Sequence, residues 1–551
     1  MTAAGSPADQ ARADNRALLE GVSDALRKGD VREARRLAEL ALAQGLEHPT
    51  LLSLRAVGHT EAGRHEEALN DLRKAHFLAP NDFAALNALG LACVRTERLP
   101  EALACYDKAL AINPDFAPGW FNRGWALERL GELGQAAEAY ERATTLDPRH
   151  IDAWANAAWI ASRRGDAAAT KAAAGQALAL DGDCTLASLA LAAVELDTPD
   201  VAERRLRAVL AKPGLAPTER ALALGQLGDV LDRLDRPPEA FAAYAQGNQA
   251  FRDLAAPRFG VWGQETAADA VGWMTRWAES LDAAAWRADA VDVAGQGGER
   301  GHVFLLGFPR SGTTLVESLL GAHPDVATLE ERGTLSAAVR AFQTAPEGLK
   351  RLEAMTSREL QGYRDDYWRS VVSFGADPKG KIFIDKNPFG TLRLPLIWKL
   401  FPQAKIIFAV RDPRDVVFSC FRRRFDLNPS TYELLELRSA ARYYGAFMRL
   451  AELLREKQGL AEHQLVYERL IDDFEGEARA VCAFIGADWR ADLDQFAERG
   501  RRGGVASASA AQISRGLFSE GVGQWRRYRD QLAPVLPLLA PWAQRFGYPA
   551  D

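Results

Sequence analysis

The sequence predicts two structural classes in succession: an all-α repeat array in the first half, then an α/β domain with a parallel sheet. The first observation is a regular period over residues 48–183. The second is an apolar run, Val303 to Leu306, that passes directly into a glycine-containing loop and an amphipathic helix. The third is that later apolar strands end in charged residues, at the edge where parallel α/β sheets bind ligands.

The composition of the 551 residues is that of an ordinary globular protein, with 48% hydrophobic and 26% charged residues. A formal net charge of −6 does not favour general binding to nucleic acid or anionic membranes. The five cysteines lack the spacing of a zinc site or a disulfide framework. Without a signal peptide in residues 1–25 or an apolar run that could span a bilayer, a cytoplasmic location is expected.

Small residues and prolines mark the period of the first half. Pro80, Pro114 and Pro148 follow one another at intervals of 34 residues, and Gly90 and Gly124 keep the same step. One helix pair cannot bury its apolar face alone, so neighbouring pairs stack, and small residues let their backbones approach. The pattern resembles the tetratricopeptide repeat. The resemblance implies a solenoid that binds a protein or peptide partner.

The period also sets the expected domain limits. Residues 48–183 give four clear repeats, with a further helix pair expected over 13–47 and degenerate repeats over 184–254. The predicted domains are listed in chain order: a solenoid at 13–255, a helical junction at 256–300 and the α/β domain at 301–548. Within the solenoid, Asn87 and Asn122 occupy equivalent positions in successive first helices, where they face either a peptide groove or solvent.

The loop that follows the first predicted strand has the features of an anion site. Gly307 and Gly312 have the spacing of a Walker A motif, but Thr313 stands where that motif has lysine, which weakens a metal-dependent interpretation. Backbone N–H groups and the positive end of the helix dipole attract an anion at such a turn. The candidate anion-binding residues of the loop are Arg310, Ser311, Gly312, Thr313 and Thr314.

The run from Pro309 to Thr314 resembles the 5′-phosphosulfate loop of sulfotransferases, which are P-loop-like enzymes. The match is closest to tyrosylprotein sulfotransferases and to bacterial sulfotransferases with tetratricopeptide repeats, and it covers roughly residues 300–545. The resemblance implies 3′-phosphoadenosine 5′-phosphosulfate as the sulfuryl donor and no metal. Animal tyrosylprotein sulfotransferases are membrane-anchored and lumenal, and the expectation for this chain departs from them in both respects.

Charged residues at two strand ends are the catalytic candidates, together with Arg310. Transfer to a hydroxyl needs a base within hydrogen-bond reach of the acceptor oxygen. The resemblance implies that Glu331 is this base, with an exchange of roles with Glu330 as the alternative. It also implies that Lys386 stabilises the charge that develops on the leaving oxygen. The arginine that the family has two residues after the base is replaced by Gly333.

A second anion site is expected beside the first. Arg411 ends a predicted strand, and Ser419 lies eight residues later in the following helix, so both can reach one anion. This pair resembles the 3′-phosphate motif of sulfotransferases, and such a site would separate the donor from ATP. Further nucleotide contacts are expected from Tyr467, within a strand predicted over 464–470, and from Arg515 and Arg526, in a region that resembles a basic flap.

Two other functions fit the sequence. Asp385 stands where a Walker B carboxylate would be expected, which favours a magnesium-dependent kinase or NTPase. A scaffold whose repeats bind a partner and whose second domain is inactive is the other alternative. For a sulfotransferase, peptide tyrosine, a sugar, a lipid and a small phenol all fit as acceptors.

Overall fold

The computed structural model describes residues 7–195, 197–260, 265–288, 291–490, 493 and 521–550. The chain divides into two compact units, Met1–Val194 and Glu195–Asp551. The predicted fold class is confirmed, since antiparallel helix pairs form the first unit and a five-stranded parallel sheet lies in the second. The domain limits drawn at residues 255 and 300 stay a prediction.

The first unit is a series of helix pairs joined by short turns. Its described helices are α1 (Pro7–Arg27), α2 (Val31–Ala43), α3 (Pro49–Glu61), α4 (His65–Leu78), α5 (Phe83–Arg95), α6 (Leu99–Ile112), α7 (Ala117–Arg129), α8 (Leu133–Leu146), α9 (Ile151–Arg163), α10 (Ala167–Leu180) and α11 (Thr185–Val194). Helices α3 to α10 are the four repeats expected over 48–183, and α1 with α2 is the additional pair expected upstream.

Glycine and tyrosine explain the register of these repeats. A Cβ atom on Gly90 would lie 2.5 Å from the ring of Tyr106, and one on Gly124 would lie 2.8 Å from the ring of Tyr140. Both tyrosines are fully buried. In these two repeats the second helix therefore places a large ring against a point of the first helix where only glycine leaves room.

The second unit begins with five helices: α12 (Pro199–Leu210), α13 (Pro217–Arg233), α14 (Pro237–Phe259), α15 (Ala267–Ser280) and α16 (Ala283–Ala288). Gly228 of α13 and Tyr244 of α14 repeat the same contact, with a distance of 2.5 Å from an added Cβ to the ring. Helices α13 and α14 therefore pack as a further repeat of the same kind, within the unit that also contains the sheet.

The sheet is parallel throughout and has the strand order β2-β3-β1-β4-β5. Its strands are β1 (Gly301–Gly307), β2 (Val326–Glu330), β3 (Ile382–Lys386), β4 (Lys405–Val410) and β5 (Glu462–Val466). Strands β3 and β2 lie on one side of β1, and β4 and β5 lie on its other side. The adjacent carboxyl ends of β1 and β4 are therefore a switch point, where open α/β sheets bind ligands.

Helices cover the sheet and complete the second unit. After β1 they are α17 (Thr313–Gly321), α18 (Ser336–Phe342), α19 (Pro346–Ala354), α20 (Gln361–Ser373), α21 (Leu394–Leu400), α22 (Pro413–Phe421), α23 (Pro429–Glu433), α24 (Leu437–Gln458), α25 (Tyr467–Asp472), α26 (Phe474–Ile485), α27 (Arg529–Leu532) and α28 (Leu536–Arg545). The strand predicted over 464–470 was too long, because β5 ends at Val466 and Tyr467 begins a helix. None of the described helices is both long and apolar enough to cross a bilayer.

Candidate functional site

The loop between β1 and α17 is held in an unusual backbone conformation. Arg310 has a left-handed φ of 70°, and Gly312, which precedes the first residue of α17, has a φ of 97°. Thr391 fixes the start of the loop, because its hydroxyl donates to the carbonyl of Gly307 (2.8 Å) and accepts from the N–H of Gly307 (3.1 Å). The N-terminal N–H groups of α17 therefore follow a turn whose start is fixed by Thr391.

Gly312 also allows an aromatic ring to lie directly on the loop. A Cβ atom on Gly312 would stand 2.5 Å from the ring of Tyr467. The guanidinium of Arg411 lies 4.7 Å from the centre of the same ring. Tyr467 is buried between the loop and Arg411, so packing accounts for its position, and its predicted contact with the nucleotide stays a prediction.

The loop and the end of β4 meet in direct hydrogen bonds. Nε of Arg310 donates to the hydroxyl of Ser419 (3.1 Å), and Nη1 of Arg411 donates to the carbonyl of Arg310 (3.1 Å). Nη2 of Arg411 donates to the carbonyl of Gly521. The residues predicted for the two anion sites therefore lie together at the switch point between β1 and β4.

Positive charge is concentrated in this cluster. Burial and the like charges of Arg423, Arg411 and Arg422 hold the pKa of Arg310 well below its usual value. Burial also lowers the pKa of Arg423, to about 10. Nε of Arg411 is buried and has no hydrogen-bond acceptor among the described residues. An anion of high charge would stabilise these neighbouring positive charges and accept the hydrogen bond of the Arg411 Nε. The phosphates of the expected nucleotide are such anions.

The polar side chains of the loop differ in exposure from an ordinary surface turn. Ser311, Thr313 and Thr314 are 2%, 3% and 8% exposed. Hydroxyls buried at a helix start are available as donors to an anion that lies against the N–H groups. The five loop residues predicted as anion-binding thus stay one group, and their contact with a phosphosulfate stays a prediction.

The three catalytic candidates at strand ends also meet. Nζ of Lys386 donates to Oε1 of Glu330 (2.9 Å) and to Oε1 of Glu331 (2.8 Å). Successive side chains of a strand point to opposite faces, so two neighbouring glutamates would not normally share one partner. The left-handed φ of Glu331, 47°, reverses this alternation, and the N–H of Glu331 donates to the carbonyl of Lys386 (2.7 Å).

The two carboxylates differ in their access to an acceptor. The side chain of Glu331 is 50% exposed and that of Glu330 is 22% exposed, whereas Lys386 is completely buried. A base has to reach the acceptor oxygen, so the exposure supports Glu331 in that role. The assignment of the base stays a prediction.

A third carboxylate, Glu317 of α17, was not expected from the sequence. Its Oε2 lies 3.3 Å from Nζ of Lys386, and the residue is buried. Burial raises the pKa of Glu317 to about 7, although Lys386 opposes this shift. The sequence did contain a signal: Glu317 is the one charged residue on a helix face whose other members include Val316, Leu319 and Leu320, all buried.

Asp385 faces away from the loop. Its Oδ2 accepts hydrogen bonds from the hydroxyls of Thr334 (2.7 Å) and Tyr367 (3.1 Å). The Tyr367 hydroxyl lies 2.8 Å from Nε2 of His302 on the same face of the sheet. Asp385 precedes Lys386 on β3 and points to the opposite face of the sheet. There it accepts the hydrogen bond of Thr334, which lies in the segment after Glu331.

The two arginines predicted for a basic flap are Arg515 and Arg526. Arg515 lies outside the described residues. Arg526 is exposed, and its guanidinium lies 5.2 Å from the ring centre of Trp525. The turn that carries it is fixed by Asp415, which accepts from the N–H groups of Gly523 (2.6 Å) and Trp525 (2.8 Å). Nucleotide contacts by Arg515 and Arg526 stay predictions.

The family comparisons agree with this geometry. Residues 302–491 match the model described as the sulfotransferase family. Residues 19–75, 91–131 and 117–150 match models of the tetratricopeptide repeat. The resemblances stated from the sequence are therefore confirmed for both halves of the chain.

Individual relatives are distant and match only parts of the chain. Protein-tyrosine sulfotransferase 2 of Gallus gallus is 26% identical over 45% of this chain and 69% of its own length. An uncharacterized protein of Aquifex aeolicus is 26% identical over 44% of this chain, and the match spans 33% of that protein. Among solved structures, a tetratricopeptide repeat protein from Parabacteroides merdae covers 42% of this chain and 94% of its own, at 17% identity and a TM-score of 0.32.

Proposed function

Because residues 302–491 form a domain of the sulfotransferase family, joined in one chain to tetratricopeptide repeats, we propose that this protein transfers a sulfuryl group from 3′-phosphoadenosine 5′-phosphosulfate to an acceptor hydroxyl. The observation that carries the proposal is the hydrogen-bonded group of Arg310, Ser419 and Arg411. It joins the glycine loop to the expected second anion site, so one nucleotide with anionic groups at both its 5′ and 3′ positions can engage both.

The donor supplies an activated sulfuryl group, and the residues of the chain bind and orient it. The N-terminal N–H groups of α17, with Arg310 and the loop hydroxyls, hold the 5′ end. Arg411 and Ser419 hold the 3′-phosphate. The buried Nε of Arg411, which has no acceptor among the described residues, supports this division, because a phosphate oxygen would accept its hydrogen bond.

Lys386 and Glu331 act on the transfer itself. Glu331 accepts the proton of the acceptor hydroxyl, which attacks sulfur in line with the leaving oxygen. The ammonium of Lys386 stabilises the negative charge that grows on the leaving oxygen. The contact between Lys386 and Glu331, at 2.8 Å, holds the cation and the base next to each other. The acceptor would lie on one side of this pair and the donor on the other.

We assign the repeats the role of binding a protein or peptide. If that partner is the substrate, a peptide tyrosine is the acceptor that the similarity to protein-tyrosine sulfotransferases favours. Asn122 donates to Asn87 across neighbouring repeats (3.0 Å), so this amide pair is a starting point for mapping a peptide surface by mutation.

The alternative of a magnesium-dependent kinase or NTPase rested on Asp385. The hydroxyls of Thr334 and Tyr367 both donate to Oδ2 of this carboxylate, on the face of the sheet away from the loop. The geometry therefore favours the sulfotransferase over the kinase.

The proposal is tested by comparing ligands and then measuring transfer. We expect adenosine 3′,5′-bisphosphate without magnesium to raise the melting temperature more than ATP with magnesium does. Labelled sulfate should then move from the donor to one class in a panel of tyrosine peptides, sugars, lipids and phenols. Stronger stabilisation and turnover with magnesium ATP would replace the proposal by the kinase. Tight binding of the bisphosphate without transfer to any member of the panel would favour the inactive scaffold.

A further inference from the structure

Three carboxylates share the buried ammonium of Lys386. Nζ lies 2.8 Å from Glu331, 2.9 Å from Glu330 and 3.3 Å from Glu317. The ammonium donates hydrogen bonds to Glu331 and Glu330, and its third N–H remains for the attraction of Glu317 or for a ligand. With all groups ionised, the cluster carries one positive and three negative charges.

This arrangement conflicts with the role of Lys386 in the proposed function, on which the inference rests. To stabilise a leaving oxygen, the ammonium has to direct one N–H toward the donor. A sulfated nucleotide also brings negative charge toward three carboxylates, and a nearby negative charge favours the protonated form of a carboxyl group. One of the three glutamates therefore has to give up its negative charge or its contact when the donor binds.

Glu317 is the glutamate that fits this requirement. Its contact with Lys386 is the longest of the three, and its side chain is 9% exposed, so water cannot replace the ammonium as it can at the half-exposed Glu331. A buried carboxylate without its cation is costly, whereas a neutral carboxylic acid is not. Glu317 also lies on α17, the helix that begins at the phosphate loop.

Among the residues that the structure describes, the charged groups that act most strongly on Glu317 are Lys386 from β3, and Glu330 and Glu331 at the end of β2. Lys386 is the one cation in this group. The neighbours of Glu317 along α17, Val316, Leu319 and Leu320, belong to one apolar cluster with Val303 of β1 and Val481 of α26. Burial already places the pKa of Glu317 at about 7, within reach of protonation at neutral pH.

We propose that Glu317 is a positioning residue that is protonated in the donor complex, which removes its attraction for the ammonium of Lys386, so that the third N–H of Lys386 turns toward the donor while Glu331 serves as the base. The proton comes from solvent, and no bond other than O–H is made or broken at Glu317. Two carboxyl groups with separate protonation states thus act on one lysine. Transfer is fastest where Glu317 is neutral.

The first test is the pH dependence of kcat/KM, which reports ionisations of the free enzyme. In the wild-type protein we expect a fall above neutral pH of about tenfold per unit, as Glu317 ionises. Glu317→Gln mimics the neutral acid, so it should keep the acidic limb and lose the alkaline fall. The matched control is Glu330→Gln, which removes a carboxylate from the same ammonium on the more exposed side and should keep the alkaline fall.

The second test does not depend on turnover. Calorimetric binding of adenosine 3′,5′-bisphosphate at pH 7.5, in two buffers of different ionisation enthalpy, counts the protons taken up. We expect uptake by the wild-type and Glu330→Gln proteins and a smaller value for Glu317→Gln. If proton uptake is smaller in Glu317→Gln but the wild-type protein transfers no sulfuryl group, the protonation of Glu317 is retained and the sulfotransferase is refuted. Transfer by the wild-type protein with equal uptake in all three would refute only the role of Glu317.

Two further outcomes would overturn the inference. One is an unchanged alkaline limb in Glu317→Gln. The other is loss of transfer at every pH in a folded Glu317→Gln protein, because this would mean that Lys386 needs an ionised Glu317 as its anchor. Melting temperature against pH shows that the variant is folded. The wild-type protein should lose stability relative to Glu317→Gln as pH rises through 7, because the folded state then has to hold a buried charge that the unfolded state exposes to water.

Discussion

Two residues of the candidate site adopt a backbone conformation that side chains other than glycine rarely take. Arg310 and Glu331 have φ values of 70° and 47°. Such a conformation costs about 1–2 kcal/mol, so contacts elsewhere have to maintain it. Arg411 bonds the carbonyl of Arg310, and the N–H of Glu331 donates to Lys386. The two strained positions are therefore fixed by the neighbours with which they are proposed to act.

Replacement of Glu331 by glutamine tests the base. The amide keeps the size of the side chain and a hydrogen-bond partner for Lys386, but it cannot accept the proton of the acceptor. We expect kcat to fall by about 100-fold or more, while the affinity for adenosine 3′,5′-bisphosphate changes little. Titration calorimetry and labelled-sulfate transfer measure the two quantities. If the Glu331→Gln protein stays active, Glu331 is not the base. If transfer is lost only in Glu330→Gln, Glu330 is the base instead.

Replacement of Arg411 tests the second anion site. If Arg411 holds the 3′-phosphate, Arg411→Ala should weaken the binding of adenosine 3′,5′-bisphosphate by about 1.5–3 kcal/mol, roughly 10- to 100-fold. The affinity for adenosine 5′-phosphate, which has no 3′-phosphate, should fall far less. Equal losses for both nucleotides would mean that Arg411 only supports the loop through the carbonyl of Arg310.

The sequence was sufficient for residues that belong to a local motif, and insufficient where the partner is distant. The glycine spacing of the loop and the charges at strand ends could be read directly, and the structure brings these residues together. The shared contact on Lys386 could not be predicted, since it depends on the reversed side chain of Glu331 and on Glu317, which is 69 positions before Lys386. Neither the turn nor the pairing has a local signal.

Among elements, the basic run after α22 shows the same limit. Taken by itself, the run Arg422 to Arg424 fits a solvated helix face or the surroundings of the acceptor or nucleotide. The structure adds partners that the run does not indicate: Arg422 pairs with Asp232 (3.3 Å) and Arg424 pairs with Asp229 (2.6 Å), both from α13. These partners are 190 and 195 residues apart in the chain, so no local pattern could have assigned them.

The repeat elements allow a prediction with an internal control. Gly90→Ala places a methyl group 2.5 Å from the ring of Tyr106, in a helix that has no free space there. We expect a loss of about 1–3 kcal/mol in the free energy of unfolding. Gly175→Ala, in α10, meets nothing within 4 Å and should instead gain about 0.5–1 kcal/mol through helix propensity.

Chemical denaturation of both variants, followed by circular dichroism, measures these changes. Equal effects of the two substitutions would show that backbone propensity, and not the tyrosine contact, determines glycine at this point of the repeat. A stabilised Gly90→Ala protein would contradict the packing account directly.

At the scale of the whole molecule, the α/β domain predicted at 301–548 depends on helices that precede it. Asp232 of α13 accepts hydrogen bonds from Arg527 (2.7 Å) and from the hydroxyl of Tyr528 (2.6 Å), in addition to its pair with Arg422. Asn248 of α14 donates to the carbonyl of Phe421 (2.6 Å). These contacts fix the end of α22, which carries Ser419, and the turn that Asp415 caps.

We therefore expect a fragment of residues 195–551 to fold and to bind adenosine 3′,5′-bisphosphate within about twofold of the affinity of the full chain, since no stated nucleotide contact is removed. A fragment of residues 301–551 loses the carboxylates of Asp229 and Asp232 and leaves three arginines without these partners. The side chains of Arg422 and Arg424 are 15% and 23% exposed at these pairs, so the fragment keeps partly buried positive charges without their opposite charges, which lowers its stability. This fragment should therefore unfold at a lower temperature and bind the nucleotide weakly.

Melting curves and calorimetry on the two fragments and the full chain make the comparison. The matched control is Asp232→Asn in the 195–551 fragment, which keeps the helices and removes one charge from the contact. It should fall between the two fragments in stability, because the amide still accepts a hydrogen bond while the pairs with Arg422 and Arg527 lose their opposite charge. Equal stability and affinity for the 301–551 fragment would mean that the limit predicted at residue 300 is the true one, and that α13 and α14 serve the repeats rather than the nucleotide site.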